Sequence, residues 1–225
     1  MVRNLLGPVR QPKSGKINEL VIFFHGYGAD GNDLISLSDH FTSVLPSAEF
    51  YAPNAPDLCE MGGVGYQWFP IRQNNNGTLD LNAKEEISRS VRLIDSWLND
   101  LISKKNIHSS KVLLVGFSQG TMIALETLVS RSERFLGLIG FSGGFLGSTS
   151  ETAQGSIQTP ILLVHGDSDP VVPVEMTNSS AKALGQKGFI VEKHISRGVG
   201  HGISPDGLSR ATDFVKNLML EITDH

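Results

Sequence analysis

The fold is indicated most directly by residues 111–126, which read Lys-Val-Leu-Leu-Val-Gly-Phe-Ser-Gln-Gly-Thr-Met-Ile-Ala-Leu-Glu. An apolar run of strand length leads into Gly-Phe-Ser-Gln-Gly, and a plausible helix follows at once. Glycines on both sides of Ser118 let the backbone bend sharply without a Cβ clash. Such a strand–turn–helix unit predicts a nucleophile elbow that projects the Ser118 hydroxyl above a sheet.

The Gly-x-Ser-x-Gly pattern is a weak signal by itself, because this glycine- and serine-rich chain contains it twice. The second copy, residues 140–144, places Ser142 after another apolar run. The residues that follow it, Gly-Gly-Phe-Leu-Gly-Ser, do not readily propagate a helix. The flanking sequence therefore favours Ser118 as the nucleophile and Ser142 as part of a turn at a strand end.

Apolar runs and helical patterns alternate along the rest of the chain, which predicts the α/β class: a mainly parallel central sheet with helices on both faces. Ligands of such sheets bind at the carboxyl ends of the strands, so we expect the chemistry in the loops after the apolar runs. The predicted strands are Leu20–Phe24, Phe50–Ala52, Lys111–Val115, Phe135–Phe141, Ile161–Val164 and Phe189–Ile195. The predicted helices are 33–44, 84–104 with a capping box of Asn82 and Glu85, 121–130, 174–186, and one after Ser204 and Pro205 with a buried face of Leu208, Ala211, Val215, Leu218 and Ile222.

The composition is that of an ordinary globular protein, and we expect residues 1–225 to form a single domain. With 225 residues, 40% hydrophobic and 19% charged, the chain can bury a substantial core. A formal charge of −4 gives no reason to expect a nucleic-acid partner. The lone cysteine, Cys59, excludes an intrachain disulfide. No signal peptide or transmembrane segment is apparent, so we expect a cytoplasmic protein; the oligomeric state is left open.

A general base and its acid partner are predicted in two later loops. The run Ile161–Val164 opens into His-Gly-Asp-Ser-Asp-Pro-Val-Val-Pro, where both Asp167 and Asp169 lie where the acid belongs. Among seven histidines, His201 alone lies in a glycine-rich loop between the last strand and the last helix. The chain order serine, aspartate, histidine is that of α/β-hydrolases. The residues by themselves do not separate the two aspartates.

Two backbone amides are placed to stabilise an oxyanion beside Ser118. The first is that of Gln119, at the positive start of the helix that follows the elbow. The second is that of Tyr27, in the glycine loop His-Gly-Tyr-Gly that follows the first apolar run. We expect the side chain of His25, in the same loop, to have a structural role.

Four motifs in order, His-Gly-Tyr-Gly, Gly-Phe-Ser-Gln-Gly, His-Gly-Asp-Ser-Asp-Pro-Val-Val-Pro and Gly-His-Gly, resemble those of the phospholipase/carboxylesterase group of α/β-hydrolases, which includes the acyl-protein thioesterases. The resemblance implies the α/β-hydrolase fold, Asp169 as the acid, and the amides of Tyr27 and Gln119 as oxyanion donors. It also implies that Trp68 and Phe69 form an aromatic pair beside the site. The family commonly has an aspartate next, where this chain has Pro70.

The predicted activity is hydrolysis of carboxylic esters or thioesters of acyl chains by Ser118, His201 and Asp169 through an acyl-enzyme, with no metal and no organic cofactor. Expected substrates are small-molecule or acyl-chain esters, or an acylated protein. We expect Trp68, Phe69 and Val171 to contact substrate, and the segment from Asp57 to Thr78 to form a wall or lid. The alternatives are a lysophospholipase and, from another class, a non-catalytic ligand-binding protein of the same fold.

Overall fold

Strands and helices alternate through the computed structural model, which describes residues 5–60, 64–73, 79–80, 83–148 and 159–223. The strands in these ranges are β1 (Val9–Arg10), β2 (Glu19–Phe24), β3 (Ala48–Tyr51), β4 (Asp57–Leu58), β5 (Tyr66–Gln67), β6 (Arg72–Gln73), β7 (Leu79–Asp80), β8 (Val112–Phe117), β9 (Gly137–Phe141), β10 (Ile161–Gly166) and β11 (Val191–Ser196). The helices are α1 (Gly31–Ile35), α2 (Ser38–Phe41), α3 (Lys84–Lys105), α4 (Gln119–Ser130), α5 (Glu175–Gln186) and α6 (Pro205–Thr223).

The main sheet has seven strands in the order β1-β3-β2-β8-β9-β10-β11. Every neighbouring pair is parallel except β1 and β3, which are antiparallel. The predicted mainly parallel sheet is therefore confirmed, and each predicted strand has a counterpart within a few residues. The edge strand β1 escaped prediction because two residues are too short to show a periodicity.

Alternate residues of the strands belong to two separate cores, one on each face of the sheet. In β2, Leu20, Ile22 and Phe24 pack with α3, α4 and α5, whereas Val21 and Phe23 pack with α1, α2 and α6. Because both faces are covered, the inner strands read as continuous apolar runs. Helices on both faces of the sheet are thus confirmed.

Helix α3 begins at Lys84 as predicted and ends one residue later than predicted, at Lys105. Its buried face includes Ile87, Val91, Ile94, Leu98 and Leu101, which repeat in the sequence at spacings of three and four. Its N-cap is Ala83, which makes no side-chain cap hydrogen bond. The predicted capping box of Asn82 and Glu85 would have placed the N-cap at Asn82, which lies outside the described residues.

Helix α6 begins as the sequence predicts. The Ser204 hydroxyl accepts a hydrogen bond from the Gly207 amide at 3.2 Å, which satisfies one of the free amides of the first turn. Four of the five predicted apolar residues are buried: Leu208, Ala211, Val215 and Leu218. The side chain of the fifth, Ile222, lies outside the described residues.

The single helix predicted over residues 33–44 is wrong, because this region forms the two short helices α1 and α2. Between them the amide of Leu37 bonds to the carbonyl of Leu34, three residues back, instead of four. The Ser38 hydroxyl also donates a hydrogen bond to the Ile35 carbonyl at 2.6 Å. Hydroxyl side chains compete in this way for backbone groups that would otherwise continue a helix.

Candidate active site

Ser118 lies at the bend between β8 and α4, in the strained backbone conformation of a nucleophile elbow. Its φ and ψ are 53° and −117°, in a region that non-glycine residues seldom adopt. The bend requires glycine at position 120, because a Cβ there would lie 1.8 Å from the Phe24 carbonyl oxygen. Sharp turning between strand and helix leaves the Ser118 hydroxyl facing the loops at the carboxyl ends of the strands.

The hydroxyl of Ser118, the ring of His201 and the carboxylate of Asp169 form one hydrogen-bonded chain. His201 Nε2 is 3.0 Å from Ser118 Oγ, and His201 Nδ1 is 2.7 Å from Asp169 Oδ2. The ring of His201 also packs against Phe117, with 5.0 Å between the ring centroids. These three residues come from loops after β8, β10 and β11, which end at one edge of a parallel sheet.

The side chain of Asp169 is fully shielded from solvent, and each of its carboxylate oxygens has partners. Oδ1 accepts hydrogen bonds from the amides of Val171, at 2.8 Å, and Val172, at 2.9 Å, while Oδ2 faces His201. Burial by itself raises the pKa of this carboxyl, but the hydrogen bonds from His201 and from the two amides outweigh it. The pKa of Asp169 is therefore lowered from its ordinary value, and the group is held as a carboxylate.

Asp167 is placed differently from Asp169. Its Oδ1 accepts hydrogen bonds from the Gly198 amide at 2.7 Å and from the Ser168 hydroxyl at 2.9 Å. The side chain is exposed and fastens one loop to the next. Of the two aspartates between which the sequence left the choice open, Asp169 is the one that the structure brings to His201.

Ser142 lies at the end of β9 and is not followed by a helix, in accord with a strand-end turn. The residue is buried, and its hydroxyl donates to the Gly202 carbonyl at 3.2 Å. Gly202 directly follows His201. Ser142 therefore supports the loop that carries the imidazole, and its own hydroxyl is bound to a backbone carbonyl.

A second imidazole, that of His165, lies against Asp169 from inside the protein. His165 Nε2 is 3.2 Å from Asp169 Oδ2 and 2.8 Å from the Val172 carbonyl oxygen. Nδ1 is 2.6 Å from the Thr177 hydroxyl oxygen. In the sequence His165 directly precedes Gly166, and nothing in that local pattern shows what its ring contacts.

The loop that contains Tyr27 is fastened to β5 by backbone hydrogen bonds. The Gly28 amide donates to the Tyr66 carbonyl at 3.0 Å, and the Tyr66 amide donates to the Ala29 carbonyl at 2.8 Å. Tyr27 and Gln119 line the same cavity as Ser118. Amides in the first turn of a helix, such as that of Gln119, have no partner within the helix.

His25 has the structural role that the sequence predicts. Its Nδ1 donates to the Gly26 carbonyl at 2.7 Å, and its Nε2 accepts from the Ala55 amide at 3.0 Å. These two bonds require the neutral ring. Burial accordingly lowers the pKa of His25 from its ordinary value, partly offset by the Gly26 carbonyl.

An apolar cavity of about 590 Å³ adjoins Ser118 and His201. No lysine or arginine lies among the described residues that line it, and Asp33 is its one carboxylate. Its apolar wall consists of Ala29, Ile71, Phe117, Met122, Val171, Val172, Pro173 and Met176. Such a lining suits an acyl chain better than a charged group.

The sequence matches the family described as Phospholipase/Carboxylesterase over residues 8–219. The chain belongs to the phospholipase/carboxylesterase family. The crystal structure of esterase PE8 has a TM-score of 0.87 and 36% sequence identity to this member of the family, and the match covers 96% of this chain and 99% of that one. The predicted α/β-hydrolase fold and the family resemblance are thereby confirmed.

Relatives of this chain carry different names. Acyl-protein thioesterase 1 of Gibberella zeae is 26% identical over 224 residues, which is 94% of this chain and 95% of that protein. A protein of Oryza sativa subsp. japonica, 24% identical over 220 residues (93% of this chain and 87% of that protein), is named a probable inactive carboxylesterase. The predicted hydrolase acting on ester or thioester bonds is confirmed by the family and by its named esterase and acyl-protein thioesterase relatives.

In this chain, Val171 lines the cavity, whereas Trp68 and Phe69 do not. Both aromatic side chains are fully buried in the core, behind the site. The Gln119 side chain fixes them, accepting from the Trp68 amide at 2.9 Å and donating to the Phe69 carbonyl at 2.7 Å. Their contact with substrate stays a prediction that this geometry does not favour, because neither ring reaches the cavity.

The proposed wall or lid, residues 57–78, is described only in part, since 61–63 and 74–78 lie outside the described residues. Ile71 is the member of this segment that lines the cavity. Cys59 is buried, and its amide donates to the Gly65 carbonyl at 3.0 Å.

Neither a metal site nor a membrane-spanning helix is found in the described part of this chain. That part contains no group of three or more histidine, cysteine or carboxylate side chains that could hold a metal ion. None of its helices is both long enough and apolar enough to cross a bilayer.

Proposed function

We propose that this chain hydrolyses carboxylic esters or thioesters of acyl chains with Ser118 as nucleophile, His201 as general base and Asp169 as the acid that orients the imidazole. The observation that carries the proposal is the continuous chain of 3.0 Å and 2.7 Å contacts from the hydroxyl to a buried carboxylate, beside an apolar cavity. Geometry of this kind favours a catalyst over a ligand-binding protein of the same fold.

In the acylation step, Ser118 Oγ bonds to the substrate carbonyl carbon while His201 Nε2 takes the hydroxyl proton. The carbonyl π pair moves onto oxygen, and the tetrahedral intermediate collapses as the bond to the leaving oxygen or sulfur breaks. His201 returns the proton to that leaving group. In the second step water attacks the carbonyl carbon of the acyl-enzyme while His201 takes a proton from it. The bond to Ser118 Oγ then breaks, His201 returns the proton to Ser118, and the carboxylic acid is released.

The amides of Tyr27 and Gln119 are proposed to stabilise the oxyanion that forms at each step. The position of Gln119 at the start of α4 supports this role, because its amide and the helix terminus both favour negative charge. Tyr27 reaches the same cavity from a loop that β5 holds in place. Loss of one such donor typically costs about 3 kcal/mol in the activation barrier.

The cavity supports an acyl chain as the part of the substrate that this enzyme binds. Since no lysine or arginine is among the described lining residues, the lining offers no cation to a phosphate group. This favours an acyl ester or thioester over a lysophospholipid whose phosphate enters the cavity. The names of two relatives, an esterase and an acyl-protein thioesterase, support small acyl esters and acylated proteins as the substrate classes.

The reaction as proposed uses only side chains and backbone amides of this chain, with no metal or organic cofactor. We infer that residues 1–225 form one domain, which the family match over residues 8–219 supports. A cytoplasmic location stays a prediction from the sequence.

The proposal is tested by steady-state hydrolysis of p-nitrophenyl acyl esters and of S-acyl thioesters over a series of chain lengths. Ser118→Ala is expected to remove turnover to the detection limit, a loss of roughly a millionfold in kcat. Ser142→Ala is the matched control, because it removes a hydroxyl from the other Gly-x-Ser-x-Gly sequence. Undiminished turnover in Ser118→Ala, with Ser142→Ala inactive, would overturn the assignment.

A further inference from the structure

We propose that His165 is a positioning residue for the reaction: its ring holds the carboxylate of Asp169 and the adjoining cavity wall in one fixed arrangement. The inference rests on the proposed function, since it concerns the acid of that site. Its basis is the arrangement of contacts around a second, fully buried imidazole.

The ring of His165 faces polar atoms of two parts of the chain, the loop that contains Asp169 and Val172 and the helix α5. Nε2 faces the Val172 carbonyl oxygen at 2.8 Å and Asp169 Oδ2 at 3.2 Å, and Nδ1 faces the Thr177 hydroxyl of α5 at 2.6 Å. The side chains of His165 and Asp169 are both completely shielded from solvent. A group that merely filled space there would not need both ring nitrogens directed at polar atoms.

The contacts determine which ring nitrogen carries the hydrogen. The Val172 carbonyl can only accept, so Nε2 must carry the hydrogen and donate it. In the neutral ring Nδ1 then has a lone pair, to which the Thr177 hydroxyl donates. The Nε2–H dipole therefore points toward Val172 and Asp169, where it stabilises the buried carboxylate.

Val172 is consequently held from two sides. Its amide donates to Asp169 Oδ1 at 2.9 Å, and its carbonyl accepts from His165. Val172 and the neighbouring Met176 line the cavity. His165 therefore joins the orientation of the acid to the position of the apolar wall, although it is not itself among the described residues that line the cavity.

The first test compares Thr177→Val with Thr177→Ser. Valine has nearly the shape of threonine but no hydroxyl, so it leaves Nδ1 without its donor and weakens the preference for hydrogen on Nε2. We expect kcat for a p-nitrophenyl ester to fall about fivefold to tenfold, with KM within about twofold of the parent. Serine retains the hydroxyl and is expected to restore kcat to within about twofold.

The matched control is Thr159→Val, two residues before β10 and outside the cavity lining. It removes the buried hydroxyl that accepts from the Phe135 amide at 2.9 Å. Both valine variants are expected to lower Tm, but only Thr177→Val should lower kcat. Equal kcat in the two valine variants, or a serine variant as slow as the valine variant, would show that Thr177 contributes to packing alone and would overturn the proposal.

A second measurement does not depend on turnover, so it separates failure of this inference from failure of the proposed function. In ¹⁵N-histidine-labelled protein near neutral pH, the ¹⁵N chemical shifts of His165 are expected to show a protonated Nε2. They should also show an unprotonated Nδ1 that accepts a hydrogen bond. Thr177→Val should move both shifts toward a mixture of tautomers, while Thr159→Val leaves them unchanged. Hydrogen on Nδ1 with a bare Nε2 in the parent protein would overturn the inference.

Discussion

Replacing Asp169 with asparagine should inactivate the enzyme by forcing His201 into the wrong tautomer. Asp169 Oδ1 accepts from the amides of Val171 and Val172, so the asparagine oxygen is expected to stay with those two donors. Its NH₂ group then faces His201 Nδ1, 2.7 Å away in the parent protein. Nδ1 must accept a hydrogen bond there, so the ring hydrogen moves to Nε2, which can no longer take the Ser118 proton.

The expected loss is about four orders of magnitude in kcat, which corresponds to about 5.5 kcal/mol in the activation barrier. KM should change little, because no atom of Asp169 is in the lining of the cavity. The assay is hydrolysis of a p-nitrophenyl ester at neutral pH, with circular dichroism to verify the fold. A variant that retains a tenth or more of the parent kcat would refute this account of the tautomer.

Asp167→Asn is the matched control, because it makes the same chemical change two residues away. Asparagine can still accept from the Gly198 amide through its oxygen, as Asp167 does at 2.7 Å. Turnover is therefore expected to stay within about threefold of the parent. If Asp167→Asn proved the more damaging of the two, the assignment of the acid would be wrong.

Three further changes test the surroundings of the site. Gln119→Leu leaves the buried amide of Trp68 unpaired and should lower the free energy of unfolding by about 3 kcal/mol, or Tm by roughly 10 °C in calorimetry; an unchanged Tm would contradict this. Because the pKa of Asp169 is lowered below its ordinary 3.8, its contribution to stability is complete above about pH 4 and is lost as the pH falls through the lowered pKa. In urea titrations at a series of acidic pH values, the free energy of unfolding should therefore fall more steeply with falling pH in the parent than in Asp169→Asn. Equal slopes in the two proteins would contradict this prediction. Ser142→Ala frees the Gly202 carbonyl and should reduce kcat by less than about tenfold, since its hydroxyl only supports a loop; complete inactivation would give Ser142 a larger role.

The sheet and the elbow could be predicted because their signals are local. In residues 111–126 the strand, the glycines and the helix are contiguous, and the backbone of Ser118 follows from them. The same reasoning separated Ser118 from Ser142, whose following residues form no helix. His201 was found by elimination, because its loop alone combined glycines with a place between the last strand and the last helix.

The choice between Asp167 and Asp169 could not be made from the residues. Both follow the same strand, and their difference lies in partners that are distant in sequence: Asp169 meets His201, 32 residues away, and Asp167 meets Gly198, 31 residues away. Only the family resemblance favoured Asp169. A local pattern shows which residues can serve as an acid but not which of them the loop turns inward.

The burial of Trp68 and Phe69 could not be predicted from the sequence for a related reason. Aromatic residues in a glycine-rich excursion are typical of a binding wall, yet here both are in the core. The side chain of Gln119, about 50 residues away, hydrogen-bonds to the backbone of both. Neither these hydrogen bonds of Gln119 nor the contact between His165 and Asp169 produces a recognisable pattern in the sequence.

The nucleophile itself is tested most directly by covalent labelling with a fluorophosphonate, followed by intact mass spectrometry and peptide mapping. The proposed geometry predicts a single adduct on Ser118 in the folded protein, absent from Ser118→Ala and retained in Ser142→Ala. Labelling at any other serine, or folded parent protein that takes up no label while esters are still hydrolysed, would contradict it.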